Sequence, residues 1–252
     1  MGEILSIPIS ERPLGALIDE SLEAIHGTRP SVVFACANPH SVMVAQKDDT
    51  FREALQNADQ VVADGAGLCL MARIARINVG PRITGDDYFR ALMTRLNDSG
   101  EGRVFFFGSS PETLETIGRR FATDFPRLTL CGSLAPPFRS WTDEENSRML
   151  AQINTARPDV LWIGMTAPRQ EKWAQSNRKN LKAPVIGSIG AVFDFFAETK
   201  ARAPDWVSNL GFEWAYRLAL EPNRLWRRTL ISAPTFVLAV IRNEFRSRSP
   251  FS

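Results

Sequence analysis

Six short apolar runs recur along the chain at helix-length intervals. They are "SVVFACA" (31–37), "QVVA" (60–63), "RVFFFG" (103–108), "RLTLCG" (127–132), "DVLWIG" (159–164) and "PVIGSI" (184–189). Most are apolar nearly throughout, not at alternate positions, which is the pattern of strands covered on both faces. Amphipathic segments lie between them. "SSPETLETIGRRFATDF" opens on a capping-box pattern from Ser109 to Glu112, with Pro111 in the first turn. "WTDEENSRMLAQINTA" repeats the device with Thr142 and Glu145. Such alternation builds βαβ units with right-handed crossovers. The expected fold class is α/β: a Rossmann-like, mostly parallel sheet with helices on both faces. Beyond about residue 200 the alternation stops, and the Trp- and Arg-rich stretch 203–249 contains no strand run. The expected organisation is an α/β body over 1–200 and a helical C-terminal appendage over 201–252.

A chain of 252 residues with 44% hydrophobic and 23% charged residues has enough apolar mass for a full core. Its net charge of +2 argues against bulk attraction to nucleic acid, and no nucleic-acid partner is expected. From Lys200 onward, nine Lys/Arg face four Asp/Glu. That local excess suits phosphate or an anionic lipid surface. Cys36, Cys69 and Cys131 lack the paired spacing of a disulfide framework or zinc site, which fits a reducing cytoplasm. His26 and His40 are the only histidines, too few for a His-rich metal site. The start lacks the pattern of a secretory signal, and "MGEILS" matches the loose myristoylation pattern only as a coincidence. The apolar segment "LISAPTFVLAVI" (230–241) is too short to span a membrane and contains Pro234. Hydropathy does not choose between lipid and a second subunit as its partner, so an oligomer stays open.

Four strand exits carry polar or glycine-rich chemistry: "ACANPH" (35–40), "ADGAG" (63–67), "FGSSPE" (107–112) and "GMTAPRQEKW" (164–173). In a parallel sheet all four emerge at one edge and converge on one crevice. Asp64 is the leading candidate for a general base, set against an Asp-Gly turn that caps a helix. "FGSSPE", headed by Gly108, offers backbone N–H groups to a phosphate, set against a capped helix without a ligand. Gln170 suits a base or sugar hydroxyl. Arg169 and Lys172 oppose the dipole of the helix that they start, a conflict that a nearby anion would remove. Asp194 sits among Phe193, Phe195 and Phe196 and needs a polar partner, for which Arg202 is a candidate. Arg217, Arg224, Arg227 and Arg228 form either a diphosphate-binding cluster, a lipid-facing surface or a solvated helix face. No G-x-G-x-x-G or P-loop pattern is present.

Taken together, the stretches "NPHSVMVAQKDDTFREALQNADQVVADGAG", "RITGDDYF", "APRQEKW", "GAVFDFFAETKARAP" and "LGFEWAYRLALEPNRLWRRTL" resemble the WecG/TagA/CpsF glycosyltransferase family. They cover roughly residues 30–230 in the family's order. The resemblance implies an inverting transferase acting on a UDP-sugar donor, most often UDP-N-acetylmannosamine or its uronic acid. The implied acceptor is an undecaprenyl-diphosphate-linked sugar at the cytoplasmic face of the membrane. Asp64 matches the family's proposed base. Substrate-binding roles are implied for Cys36, Asn38, Gly65, Gly67, Arg82, Thr84, Asp86, Gly108, Gln170, Glu171, Asp194 and Arg202, and for the arginines at 217, 224, 227 and 228. Two positions depart from the family pattern: Cys36 stands where Thr is common, and Thr166 where Gly is frequent. Both bear on sugar identity more than on reaction class. "GDD" (85–87) is not an Asp-x-Asp metal motif, and arginines can neutralise departing diphosphate, so no cofactor and no essential metal are expected. The rivals are a Rossmann-like oxidoreductase, disfavoured by the missing glycine fingerprint, and a non-catalytic membrane-associated scaffold.

Overall fold

The computed structural model describes residues 2–198, 235–240 and 242. All six apolar runs are strands: β3 (Val32–Ala37), β4 (Gln60–Ala63), β5 (Arg103–Gly108), β6 (Thr129–Leu134), β7 (Val160–Gly164) and β8 (Val185–Ser188). They form one sheet in the order β4-β3-β8-β7-β5-β6. Every neighbouring pair is parallel. Residue parity divides the strands between two apolar layers, because successive side chains point to opposite faces. Val33, Ala35, Val61, Phe105, Phe107, Leu161 and Ile186 face one layer. Val32, Phe34, Val62, Phe106, Val160, Trp162 and Val185 face the other.

Helices cover both layers. Leu17 and Ile18 of α1 (Leu14–Ile25) pack in the second layer with Phe89 and Leu92 of α5 (Gly85–Ser99), Ile117 and Phe121 of α6 (Pro111–Asp124), and Phe193 of α9 (Val192–Phe196). The first layer takes Val42 of α2 (Pro39–Ala45), Phe51 and Leu55 of α3 (Asp49–Gln56), Leu68 of α4 (Ala66–Ala75), Ile153 of α7 (Asp143–Ala156) and Trp173 of α8 (Arg169–Asn177). Phe236 and Val240, from the helical residues 235–240, are buried in that same first layer.

Three details differ from the sequence reading. First, the chain opens with an antiparallel hairpin, β1 (Gly2–Ile4) and β2 (Ile7–Ile9). Leu5 and Ser6 turn it at φ of 50° and 64°, without the Asn-Gly or Asp-Gly signal of such turns. The side chains of Gln46 and Gln56 donate to the Leu5 and Ser6 carbonyls at 2.7 and 2.8 Å and hold the turn instead. Second, β6 starts two residues later than the apolar run. The Arg127 N–H donates to Asn97 Oδ1 and that of Leu128 to the Phe125 carbonyl, so both residues belong to a turn. Third, the cap of α6 is Ser110, not Ser109. Ser109 adopts φ of 58°, its N–H donates to the Gly164 carbonyl at 3.0 Å, and the Ser110 hydroxyl accepts from the Thr113 N–H. The Thr142–Glu145 capping box forms as read from the sequence.

Candidate active site

A cavity of about 700 Å³ opens at the carboxyl edge of the sheet. Small-molecule sites run from ~300 to 1,000 Å³ and favour this edge. All four chemistry-bearing exits reach it: Cys36 near the end of β3 and Asn38 after it, Asp64 after β4, Ser109 and Ser110 after β5, and Thr166–Glu171 after β7. The exit of β8 and α9 joins them with Ser188, Gly190 and Asp194, and the start of α5 adds Thr84 and Asp86.

Local physics fixes each group. Asp64 ends β4, where its N–H donates to the Ala37 carbonyl at 2.8 Å. Gly65 then takes φ of 98° and serves as N-cap of α4, so the chain leaves the strand sharply and the carboxylate stays at the edge. Asn38 caps α2: its side chain accepts from the Ser41 N–H at 3.1 Å, and the Ser41 hydroxyl accepts from the Asn38 N–H. Thr84 and Asp87 form the equivalent box on α5, and buried Asp86 pairs with Arg90 at 3.0 Å. Two of the "GDD" positions are thus engaged in helix structure. Gly65, Gly67, Arg82 and Gly108 do not line the cavity. Gly108 acts one layer back: a Cβ there would meet the Gly164 carbonyl oxygen at 2.4 Å, so it sets the close approach of β5 to β7.

Both cations at the start of α8 have partners within the protein. The Arg169 guanidinium donates to the carbonyls of Pro137, Phe138 and Arg139 and lies 4.1 Å over the Trp141 ring. Lys172 pairs with Asp48. Arg202, Arg217, Arg224, Arg227 and Arg228 lie outside the described residues. Among the described lining residues, four carboxylates, Asp64, Asp86, Glu171 and Asp194, therefore face one cation, Arg169, which is already engaged.

Buried polar groups belong to the residues that line the cavity. Gln170 and Glu171 are both 5% exposed, and Gln170 Nε2 donates to Glu171 Oε1 at 2.7 Å. Gln170 Oε1, Glu171 Oε2 and the Ser188 hydroxyl have no hydrogen-bond partner among the described residues. An unsatisfied buried group costs about 1–3 kcal/mol. Burial lifts the Glu171 carboxyl to about 7, against the lowering effect of the Gln170 hydrogen bond. Burial also pushes the Cys36 thiol well above its ordinary range, and the charges of Asp64, Glu171 and Asp87 push it further. Cys36 is thus a neutral thiol, unsuited to nucleophilic attack. Ser188 escaped the sequence reading, as did the wall Pro136–Phe138. Their signal was positional only: one ends a strand at the shared edge, the other follows β6 there.

Among the described residues no group of three or more His, Cys, Asp or Glu is placed to hold a metal ion, and no helix is long and apolar enough to cross a membrane. The profile of the WecG/TagA/CpsF glycosyl transferase family matches residues 2–250. Three curated relatives share one description, N-acetylglucosaminyldiphosphoundecaprenol N-acetyl-beta-D-mannosaminyltransferase. The protein of Bacillus subtilis strain 168 is 27% identical over 241 residues, which are 96% of this chain and 91% of the relative. That of Bacillus spizizenii is 28% identical over 214 residues, 85% of this chain and 80% of the relative. That of Staphylococcus aureus is 25% identical over 206 residues, 82% of this chain and 78% of the relative. The match spans nearly the whole chain, and this chain belongs to the WecG/TagA/CpsF glycosyl transferase family.

Proposed function

We propose that this glycosyltransferase moves N-acetylmannosamine, with inversion, from UDP-N-acetylmannosamine to a sugar carried on undecaprenyl diphosphate. The acceptor hydroxyl oxygen attacks the anomeric carbon, the bond from that carbon to the diphosphate oxygen breaks, and UDP departs with the electron pair. Asp64 receives the hydroxyl proton as the new bond forms, the role that a carboxylate fills for a weak nucleophile. The observation that carries this reading is the position of Asp64 at the end of β4, on the same cavity as the α6 N-terminus and the Gln170–Glu171 pair. The printed names of the three relatives support the sugar and the lipid carrier.

Departing UDP gains negative charge and needs positive partners. The described cavity wall is rich in carboxylates, which supports assigning that role to Arg202, Arg217, Arg224, Arg227 or Arg228. With arginines in place, the reaction runs without a metal. Gln170, Glu171, Ser188 and Asp194 line the cavity and contact the donor. Cys36 and Thr166 tune which sugar fits. The enzyme works at the inner face of the cytoplasmic membrane as a peripheral protein, where its acceptor resides. A UDP-glucose or UDP-uronic acid donor is the alternative. Incubating the protein with a panel of UDP-sugars and a short-chain diphosphate-linked N-acetylglucosamine separates them. The expected product carries N-acetylmannosamine; transfer of glucose or a uronic acid alone, or of no sugar from any donor, contradicts the reading.

A further inference from the structure

Helix α4 leaves the cavity directly: Asp64 lines the cavity, Gly65 caps the helix and Ala66 starts it. Its inner stripe of Leu68, Met71, Ala72 and Ala75 is buried. The outer stripe is unlike those of the other helices. Leu70 is 58% exposed and Ile74 60%, one turn apart, and exposed Arg73 and Arg76 flank them. Elsewhere the outward faces are acidic or mixed, with exposed Asp19 and Glu23 on α1, Glu115 on α6 and Glu144 on α7. Among the described residues, only Leu70, Ile74, Phe138 and Leu238 are exposed large hydrophobics. Two of these four sit on α4, and Leu238 belongs to the helical residues that pack into the same apolar layer as the α4 inner stripe. Neither Arg73 nor Arg76 is in an ion pair among the described residues. From Gly65 to Gly85 the chain carries Arg73, Arg76 and Arg82 and no Asp or Glu.

We propose that the outer face of α4, Leu70 and Ile74 bracketed by Arg73 and Arg76, docks on an anionic lipid bilayer and sets the cavity mouth at the membrane surface. Apolar side chains on such a face enter the headgroup boundary while arginines reach lipid phosphates. Charge selects the occupant: an acid-free arginine face matches an anionic leaflet. Its size argues against a second protein, because two exposed side chains fall far short of the roughly 1,200 Å² that a stable interface buries. Two anchors give weak, reversible binding, as suits an enzyme that must find successive acceptors in the membrane plane. The inference rests on the reading of the acceptor as lipid-linked, and it adds a docking face at the catalytic edge itself to the basic C-terminal segment.

The test uses the full chain and vesicles of phosphatidylcholine, with or without 30 mol% phosphatidylglycerol, on the order of the anionic content of a charged leaflet. The wild type is expected to sediment with the anionic vesicles and to be released by salt. Leu70→Gln/Ile74→Gln and Arg73→Gln/Arg76→Gln are each expected to weaken that binding at least tenfold, with Tm unchanged. None of the four residues lines the cavity. Transfer to a soluble short-chain acceptor is therefore expected to stay at the wild-type level, while transfer to an acceptor embedded in vesicles falls. Unchanged vesicle affinity in both double variants overturns the proposal. So does a change only in self-association, which would assign the face to a second copy, or only in Tm, which would assign it to the protein's own chain. If the wild type transfers no sugar to either acceptor, the functional reading fails, and vesicle affinity still decides the docking face.

Discussion

At the scale of single residues, the cavity lining includes groups already committed to holding the protein's own structure. Asp64, Gln170, Glu171 and Ser188 line the cavity, while Thr84 and Asp87 cap a helix and Arg169 ties down the 137–139 loop. Glu171 gives a direct test of burial. Its carboxyl is raised to about 7 in the folded chain by desolvation. The folded state therefore holds this proton more tightly than the unfolded chain does. Its contribution to stability is full below the unfolded value near 4.5 and is lost as pH rises through about 7. Glu171→Gln keeps the shape without the charge. We expect the variant to melt about 2–4 °C above the wild type at pH 8, with the two coinciding near pH 5, read by thermal unfolding at both values. The same offset at both pH values would contradict the burial argument. Asp64 and Asn38 were legible in the sequence because each follows an apolar run at a strand exit. Ser188 was not, because a serine at the end of "VIGS" carries no signal until the strand is known to neighbour β3 and β7.

Among the elements, the six central strands were legible because their apolar runs are short, continuous and separated by helix-length amphipathic segments, the pattern of strands covered on both faces. The opening hairpin was not, because its three-residue strands are too short to show a period and its turn is held by side chains distant in sequence. Helix–strand junctions are where the site is made, and Gly65 is the sharpest of them. Its φ of 98° belongs to glycine, and no atom lies within 4 Å of a Cβ built there. Gly65→Ala therefore isolates backbone strain from collision. We expect a loss of about 1–3 kcal/mol, read as a fall of several degrees in Tm, together with reduced turnover as Asp64 shifts. A Tm equal to that of the wild type would show that the junction is unstrained. The segment around residue 236 teaches the opposite lesson. Hydropathy alone left lipid and a second subunit as its partners, yet Phe236 is 1% exposed within the first core layer. Phe236→Ala is expected to destabilise the protein by about 3–5 kcal/mol in denaturant titration. A loss under about 1 kcal/mol would place this ring outside the cooperative core.

For the whole molecule, parallel topology is what turns dispersed sequence into a site. Cys36, Asp64, Ser110 and Gln170 are far apart in the chain, and one sheet direction delivers them all to one edge. The family resemblance supplied the reaction class, while the charge balance of the cavity wall emerged only from the fold. The proposed metal-free reaction makes a plain demand: exhaustive dialysis against EDTA is expected to leave turnover unchanged, and restoration of lost activity by a divalent ion would contradict it. The central claim concerns one proton. Asp64→Asn keeps the size of the side chain and removes the proposed base. In the transfer assay, kcat is expected to fall by ~10²–10⁴-fold, the usual worth of a positioned general base, while UDP binding by calorimetry stays within about twofold of the wild type. Near-normal kcat in Asp64→Asn, with UDP still bound, would contradict the account.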